Sequence, residues 1–357
     1  MDTMTTDVPT IAWTGDALRL LDQTVLPARV EHLEVRDVDA LVDAIRRLVV
    51  RGAPALGVAG AFGVAIAVRQ AEREGWDHAA RDAAIARVRE ARPTAVNLAA
   101  GVDRVLPRVP EGAAAVAAEA QAVLDEDVRA NRAIGVHGAD WLESRCPRRP
   151  LRLLTHCNAG ALATAGWGTA LGVVRELHAR DRVEMVYADE TRPLLQGSRL
   201  TAWELREAGI PCTVQVDAAA AGTIMRGLVD AAVIGADRIA ANGDTANKVG
   251  SLGVALACAA AGIPLLVAAP WSTVDRATPA GDAVPIEERP AEEVLAWGGT
   301  PAAPDGVQAF NPAFDVTPAR LVTALATETG VLEVAAGVTP ASRPQVREGA
   351  ADRPARL

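Results

Sequence analysis

A chain of 357 residues exceeds what one small hydrophobic core supports, so two domains, or one large domain with an appendage, are expected. Half of its residues are hydrophobic but only 3% are aromatic, which suits Ala- and Gly-rich helices packed closely on a sheet and leaves little for base stacking. A formal net charge of −9 argues against a nucleic-acid or anionic-membrane surface, since those partners need a basic field, and points to a small-molecule ligand.

The first residues do not read as a signal peptide. Long apolar runs are interrupted by charge, Gly or Pro short of the roughly 20 residues a spanning helix needs, so a soluble, cytoplasmic protein is expected. Four cysteines, Cys146, Cys157, Cys212 and Cys258, lack zinc-site spacing and are too few for a disulfide framework, which leaves reduced thiols. The 36 basic residues comprise 35 Arg and a single Lys, Lys248. Arg and Lys differ where a compact ammonium must reach one oxygen, so Lys248 either has such a task or survives by chance.

In chain order, residues 9 to 36 read as a short β-meander, with turns at Thr14-Gly15 and between Gln23 and Pro27. Asp37 is placed to cap a helix running through Leu48, with Val38, Leu41, Val42, Ile45 and Leu48 on one face. In Val50-Arg51-Gly52-Ala53-Pro54, Gly52 allows a turn and Pro54 suits a helix's first turn. The result is either an anion site made of a helix start and an arginine, or an ordinary helix–helix connection. Helices follow over Gly57 to Glu74 and Asp77 to Glu90. Arg92 precedes another Pro-led helix start and could share an anion with Arg51, or could be a solvated helix-end arginine. A long helix from about Gly112 to Ser144 closes this half, and 145–150 reads as a linker.

From Leu151 strands alternate with helices: 151–155, 183–187, 212–215, 231–234 and 265–268 each precede helical sequence, the pattern of a doubly wound parallel sheet. Such sheets bind ligands at the carboxyl ends of their strands, and polar residues collect there. The first strand stops on Thr155-His156-Cys157-Asn158, with helical sequence expected from Gly160 to His178. Cys157 is either a buried structural thiol or a reactive one, activated by the adjacent His and by helix-start amides. Asp237 follows an apolar strand, where desolvation would raise its pKa toward that of a general acid; a strand-end cap or a pair with Arg238 is the alternative. Asn242-Gly243 marks a turn, and Asn247-Lys248-Val249-Gly250 reads as the opening of a further helix, again suited to an anion. Neither a Walker loop nor a dinucleotide fingerprint is present. Asp189 and Asp217 have no His or Cys in register, so no metal site is expected.

Taken together, Val50-Arg-Gly-Ala-Pro-Ala-Leu-Gly57, Arg92-Pro-Thr-Ala-Val-Asn97, Thr155-His-Cys-Asn-Ala-Gly160, Asp189-Glu-Thr-Arg-Pro-Leu-Leu-Gln-Gly197, Gly235-Ala-Asp-Arg-Ile-Ala-Ala-Asn-Gly-Asp244, Asn247-Lys248 and Phe310-Asn-Pro-Ala-Phe-Asp-Val-Thr-Pro318 resemble the 5-methylthioribose-1-phosphate isomerases of methionine salvage. That family is related to the α, β and δ regulatory subunits of the eukaryotic initiation factor 2 exchange factor, and the similarity runs from about residue 9 to 335. The resemblance implies an α/β fold, with a mainly helical N-terminal domain carrying a small β-meander (1–145) and a Rossmann-like doubly wound parallel sheet (151–336). A tail at 337–357, rich in Pro and charge, is expected to be disordered. It implies an aldose–ketose isomerase converting 5-methylthioribose 1-phosphate to 5-methylthioribulose 1-phosphate, usually a homodimer, with no redox or metal cofactor. Substrate would be held by Arg51, Gly52, Ala53, Arg92, Gln196, Asn247 and Lys248, with Asp237 as proton donor and Cys157 stabilising the reacting centre. Two departures from the family pattern, Ser251-Leu252 for Thr-Tyr and Ala99-Ala100 for an aromatic residue, bear on the substituent at sugar C5. The alternatives are an isomerase of 5-deoxyribose 1-phosphate or ribose 1,5-bisphosphate, or a non-catalytic regulatory subunit.

Overall fold

The computed structural model describes residues 9–93 and 95–343. Its N-terminal part opens with an antiparallel meander of β1 (Ile11–Trp13), β2 (Leu18–Leu21) and β3 (His32–Val35). Helices α1 (Val38–Arg46), α2 (Ala53–Glu74), α3 (His78–Arg89), α4 (Val96–Val105) and α5 (Ala113–Arg145) follow. Asp37 and Asp77 cap α1 and α3, their carboxylates accepting from the amides of Ala40 and Ala80. Gly52, at φ 95°, turns the chain into α2, and a Cβ there would collide with the backbone of Ala163. Contrary to the reading of interrupted apolar runs, α2 is long and apolar enough to cross a membrane by length and composition. It is instead a core helix, with 78% of its apolar window buried among α1, α3, α4 and α5.

The C-terminal part runs β4 (Leu151–Thr155), α6 (Ala170–Ala179), β5 (Val183–Asp189), α7 (Ala202–Glu207), β6 (Cys212–Gln215), α8 (Ala220–Met225), β7 (Ala231–Ile234), β8 (Arg238–Ala240), β9 (Thr245–Lys248), α9 (Ser251–Ala261) and β10 (Leu265–Ala268). Then come β11 (Val274–Asp275), α10 (Glu292–Leu295), the ribbon β12 (Ala296–Trp297) and β13 (Thr300–Pro301), β14 (Phe314–Thr317), β15 (Ala324–Thr327) and β16 (Gly330–Leu332). The main sheet has the order β16-β15-β10-β7-β4-β5-β6, parallel except for β16. Strands β7 and β10 are buried throughout because helices cover both faces: α6 and the second half of α5 on one, α8 and α9 on the other. Strand order reverses between β4 and β7, the switch point at which sheets of this Rossmann-like kind open a ligand crevice. Helix α5 joins the two parts, its first half in the N-terminal core and its second against the sheet.

Four expectations are corrected. The stretch after Gly160 is not helical up to His178: it forms an irregular loop, and α6 starts at Ala170. Gly168, at φ 87°, lies against Gly160 so closely that a side chain would not fit, which imposes a loop. Arg92 does not abut a helix, since Arg92-Pro93 lies in a turn and α4 begins at Val96. Asn247 and Lys248 end strand β9 instead of opening a helix; β9 belongs to a second sheet, β11-β8-β9-β14, and pairs with β14 far along the chain. Finally, the start of the expected disordered tail is docked. Ala341 donates its amide to the Ala241 carbonyl, Arg276 donates to the carbonyls of Ala341 and Arg343, and the Arg343 guanidinium lies over Trp271. Residues 344–357 lie outside the described residues.

Candidate active site

A cleft of about 830 Å³ opens at the switch point between β4 and β7. The residues expected to hold the substrate, together with Cys157 and Asp237, all line it. Cys157 comes from the end of β4, Gln196 from the loop after β5, and Asp237 from the end of β7. Asn247 and Lys248 end β9, Arg51, Gly52 and Ala53 lead into α2, and Arg92 precedes α4. Right-handed parallel crossovers bring the first three to one edge of the sheet, and the helical part closes the cleft from the other side.

Cys157 has φ 64°, a left-handed conformation that a residue with a side chain adopts at a cost of about 1–3 kcal/mol. The surrounding loops hold it there: its amide donates to Thr191 Oγ1 at 2.9 Å, and the Thr201 hydroxyl donates to its carbonyl at 2.6 Å. The thiolate that a reactive reading of Cys157 requires is not favoured. Burial pushes the Cys157 thiol up, opposed by the positive charges of Arg51 and Lys248 and assisted by Asp237, with a net rise. The helix-start amides that would have stabilised a thiolate are distant in sequence, α6 beginning at Ala170.

Nor does His156 turn toward the thiol. Its Nδ1 lies 2.9 Å from Asp189 Oδ2 and its Nε2 2.8 Å from the Val249 carbonyl, so both nitrogens face acceptors. A ring placed in this way donates from both nitrogens and is an imidazolium. Burial opposes that charge, but the hydrogen bond and charge of Asp189 and the Val249 carbonyl outweigh it and raise the pKa. The fold also places His156 beside Asp189 and Asp217, the grouping that sequence spacing did not reveal, and these three could geometrically surround a cation. Their ligand atoms are already engaged: Asp189 also accepts from Gln215, and Asp217 accepts from the amides of Thr191 and Arg192. The trio is a hydrogen-bonded brace across the strand ends.

Asn158 orients the arginine. Arg51 donates to the Asn158 carbonyl at 2.8 Å and to its side-chain oxygen, and through Nε to Gln23 Oε1 at 3.1 Å. The Asn158 amide donates to Glu204 Oε1 at 2.8 Å, and Glu204, fully buried, also accepts from Arg175 and from the amides of Ala161 and Leu162. Glu204 and Gln23 escaped the sequence reading. One sits in an ordinary amphipathic helix and the other in a meander turn, and nothing local marks either as buried.

Asp237 lies at the cleft wall, where burial raises its pKa; Lys248, Arg92 and Arg51 partly reverse this, and Glu287 adds to it. Lys248 Nζ donates to the Ala313 carbonyl at 2.8 Å and stands 4.9 Å above the Phe314 ring, a placement for a slim ammonium. The Asn247 amide donates to Ser251 Oγ at 2.8 Å, so Ser251 keeps the hydroxyl of the threonine expected there. The start of α9 is not an anion site: Asp315 accepts from the amides of Gly250 and Leu252. At α2, by contrast, no side chain among the described residues caps the first turn, and that turn carries no acidic residue. Gln196 is buried with its Oε1 unpaired at the cleft. Arg289, which the sequence did not suggest, lines the same cleft.

The model of the initiation factor 2 subunit family matches residues 49–334. The methylthioribose-1-phosphate isomerase of Gloeobacter violaceus is 54% identical over 91% of this chain and 93% of its own length. A probable bifunctional methylthioribose-1-phosphate isomerase/methylthioribulose-1-phosphate dehydratase of Nocardia farcinica is 53% identical over 94% of this chain, which spans only 61% of that longer relative. Among solved structures, the 5-methylthioribose 1-phosphate isomerase of Pyrococcus horikoshii superposes with a TM-score of 0.83 at 38% identity, covering 91% of this chain and 92% of that one. A match of this extent, in sequence and in fold, places the chain in the initiation factor 2 subunit family, among its methylthioribose-1-phosphate isomerases.

Proposed function

We propose that this protein isomerises 5-methylthioribose 1-phosphate to 5-methylthioribulose 1-phosphate. The observation that carries the reading is one cleft holding a half-buried thiol and a half-buried carboxyl group together with Arg51, Arg92 and Lys248. Phosphate on C1 locks the sugar in its ring form, so isomerisation requires breaking the bond between C1 and the ring oxygen. That oxygen leaves as a hydroxyl and takes one proton, and Asp237, whose burial favours the protonated acid, supplies it. Hydrogen then passes from C2 to C1, the C2 hydroxyl returns its proton to the Asp237 carboxylate as the carbonyl forms at C2, and the neutral thiol of Cys157 works beside these carbons.

The phosphate is bound by Arg51, Arg92 and Lys248 with the first amides of α2 at Gly52 and Ala53, while Gln196 and Asn247 orient the sugar hydroxyls. Arg51 arrives pre-aligned by Asn158 and Gln23, so little ordering is left for the binding step. Enclosure between sheet and helices keeps water from the cationic carbon formed on ring opening.

Purified protein assayed against 5-methylthioribose 1-phosphate, 5-deoxyribose 1-phosphate and ribose 1,5-bisphosphate should show the highest kcat/KM with the first. Turnover of the bisphosphate alone would overturn the reading.

A further inference from the structure

Arg92 is one of the cleft's cations, but it already has a partner from the opposite side. Its Nη2 lies 3.5 Å from Glu287 Oε2, an ion pair that joins the turn before α4 to the segment before α10, 195 residues away. The other oxygen of that carboxylate, Oε1, accepts from Arg289 Nη1 at the shorter distance of 3.0 Å. Glu287 is fixed on its own side as well, since its carbonyl accepts the amide of Ala313, just before Phe314 in the cleft wall. The side chains of Arg92 and Glu287 retain only 22% and 17% of their exposure, so water screens the pair weakly. The carboxylate is thus anchored to Arg289 and reaches Arg92 more loosely, at the border of hydrogen-bonding distance.

We propose that Glu287 is an internal competitor of the substrate phosphate. Carboxylate and phosphate claim the same guanidinium, and Glu287 thereby sets the affinity of the cleft for anions. The inference rests on the reading of Arg92 as a phosphate ligand. When phosphate takes Arg92, Glu287 gives up its longer contact and keeps Arg289, so the exchange breaks one weak pair and forms a charge-assisted one. Arg289 in turn is held by Glu293, its Nε donating to Oε1 at 3.1 Å, which keeps the competing carboxylate from following Arg92.

The test measures KM for the sugar phosphate and the competitive inhibition constant of inorganic phosphate in the full-length protein and three variants. Glu287→Gln and Glu287→Ala remove the competing charge, and both should bind phosphate roughly threefold to tenfold more tightly, the scale of one partly buried ion pair. Arg289→Gln frees the carboxylate to pair with Arg92 and should weaken phosphate binding. A purely structural Glu287 would weaken binding in every variant, so the direction of the Glu287 effect decides. Unchanged or weaker phosphate binding in both Glu287 variants overturns the inference while leaving the phosphate reading intact. Failure of inorganic phosphate to compete in the unaltered protein overturns both.

Discussion

Burial raises the pKa of both Cys157 and Asp237, favouring the thiol and the carboxylic acid, and the two meet where the main sheet's strand order reverses. Replacing either by its near-isostere, Cys157→Ser or Asp237→Asn, should lower kcat by about a hundredfold or more while substrate binding and circular dichroism stay close to those of the parent. The double variant should be little worse than the worse single one, because groups acting as a unit do not add in their loss. A folded single variant that keeps most of its turnover would remove that residue from the chemistry. His156 gives a different signal, in stability. Its folded pKa is raised above the ordinary value of 6.5, so its bond to Asp189 contributes fully below that pH and is lost as pH rises through the folded pKa. Melting temperature should therefore fall as pH rises above 6.5. In His156→Gln the same scan should be flatter, and parallel curves would show that the ring does not titrate there.

The elements place these side chains only if they pack at the right distance. Helices α2 and α4 meet through glycines, with Gly57, Gly60 and Gly101 at the contact, and a Cβ on Gly101 would collide with the Gly57 carbonyl oxygen. Gly101→Ala must therefore push α4 away from α2, and overpacking of this kind costs about 1–3 kcal/mol. Arg92 lies shortly before α4, and Gly52 and Ala53 stand at the start of α2, so the cleft should widen as well. Gly101→Ala is expected to lower the melting temperature and to raise KM with less effect on kcat. A stability loss with unchanged KM would show that the helix contact and the cleft are independent. The α9 start makes the complementary point. It looks like an anion site in sequence, yet Asp315, from a strand 65 residues beyond Gly250, already occupies its amides.

At the scale of the whole molecule, the segment 337–343 docks on both sheets, through Ala341 to Ala241 after β8 of the second and through Arg343 to Thr329 and Trp271 at the strand ends of the main one. Truncation after Ala336 should lower the melting temperature by several degrees, the shift that a loss of 1–2 kcal/mol produces in a chain of this size. An unchanged melting temperature would show that these contacts carry no stability. The sequence alone determined the alternation that makes a doubly wound sheet, the cap Asp37, and the polar residues at the strand ends. Each of these is written in local periodicity or in residue types whose geometry depends on near neighbours. Cys157, Asp237, Arg51 and Lys248 were legible for that reason and through their motifs. The tertiary structure alone decided which way His156 faces, that the Cys157 thiol is held neutral, that Asn247 and Lys248 end a strand paired to β14, and that Glu204, Gln23, Glu287 and Arg289 surround the site. Desolvation and long-range pairing depend on segments brought together from as far as 195 residues apart, and no local pattern encodes that distance.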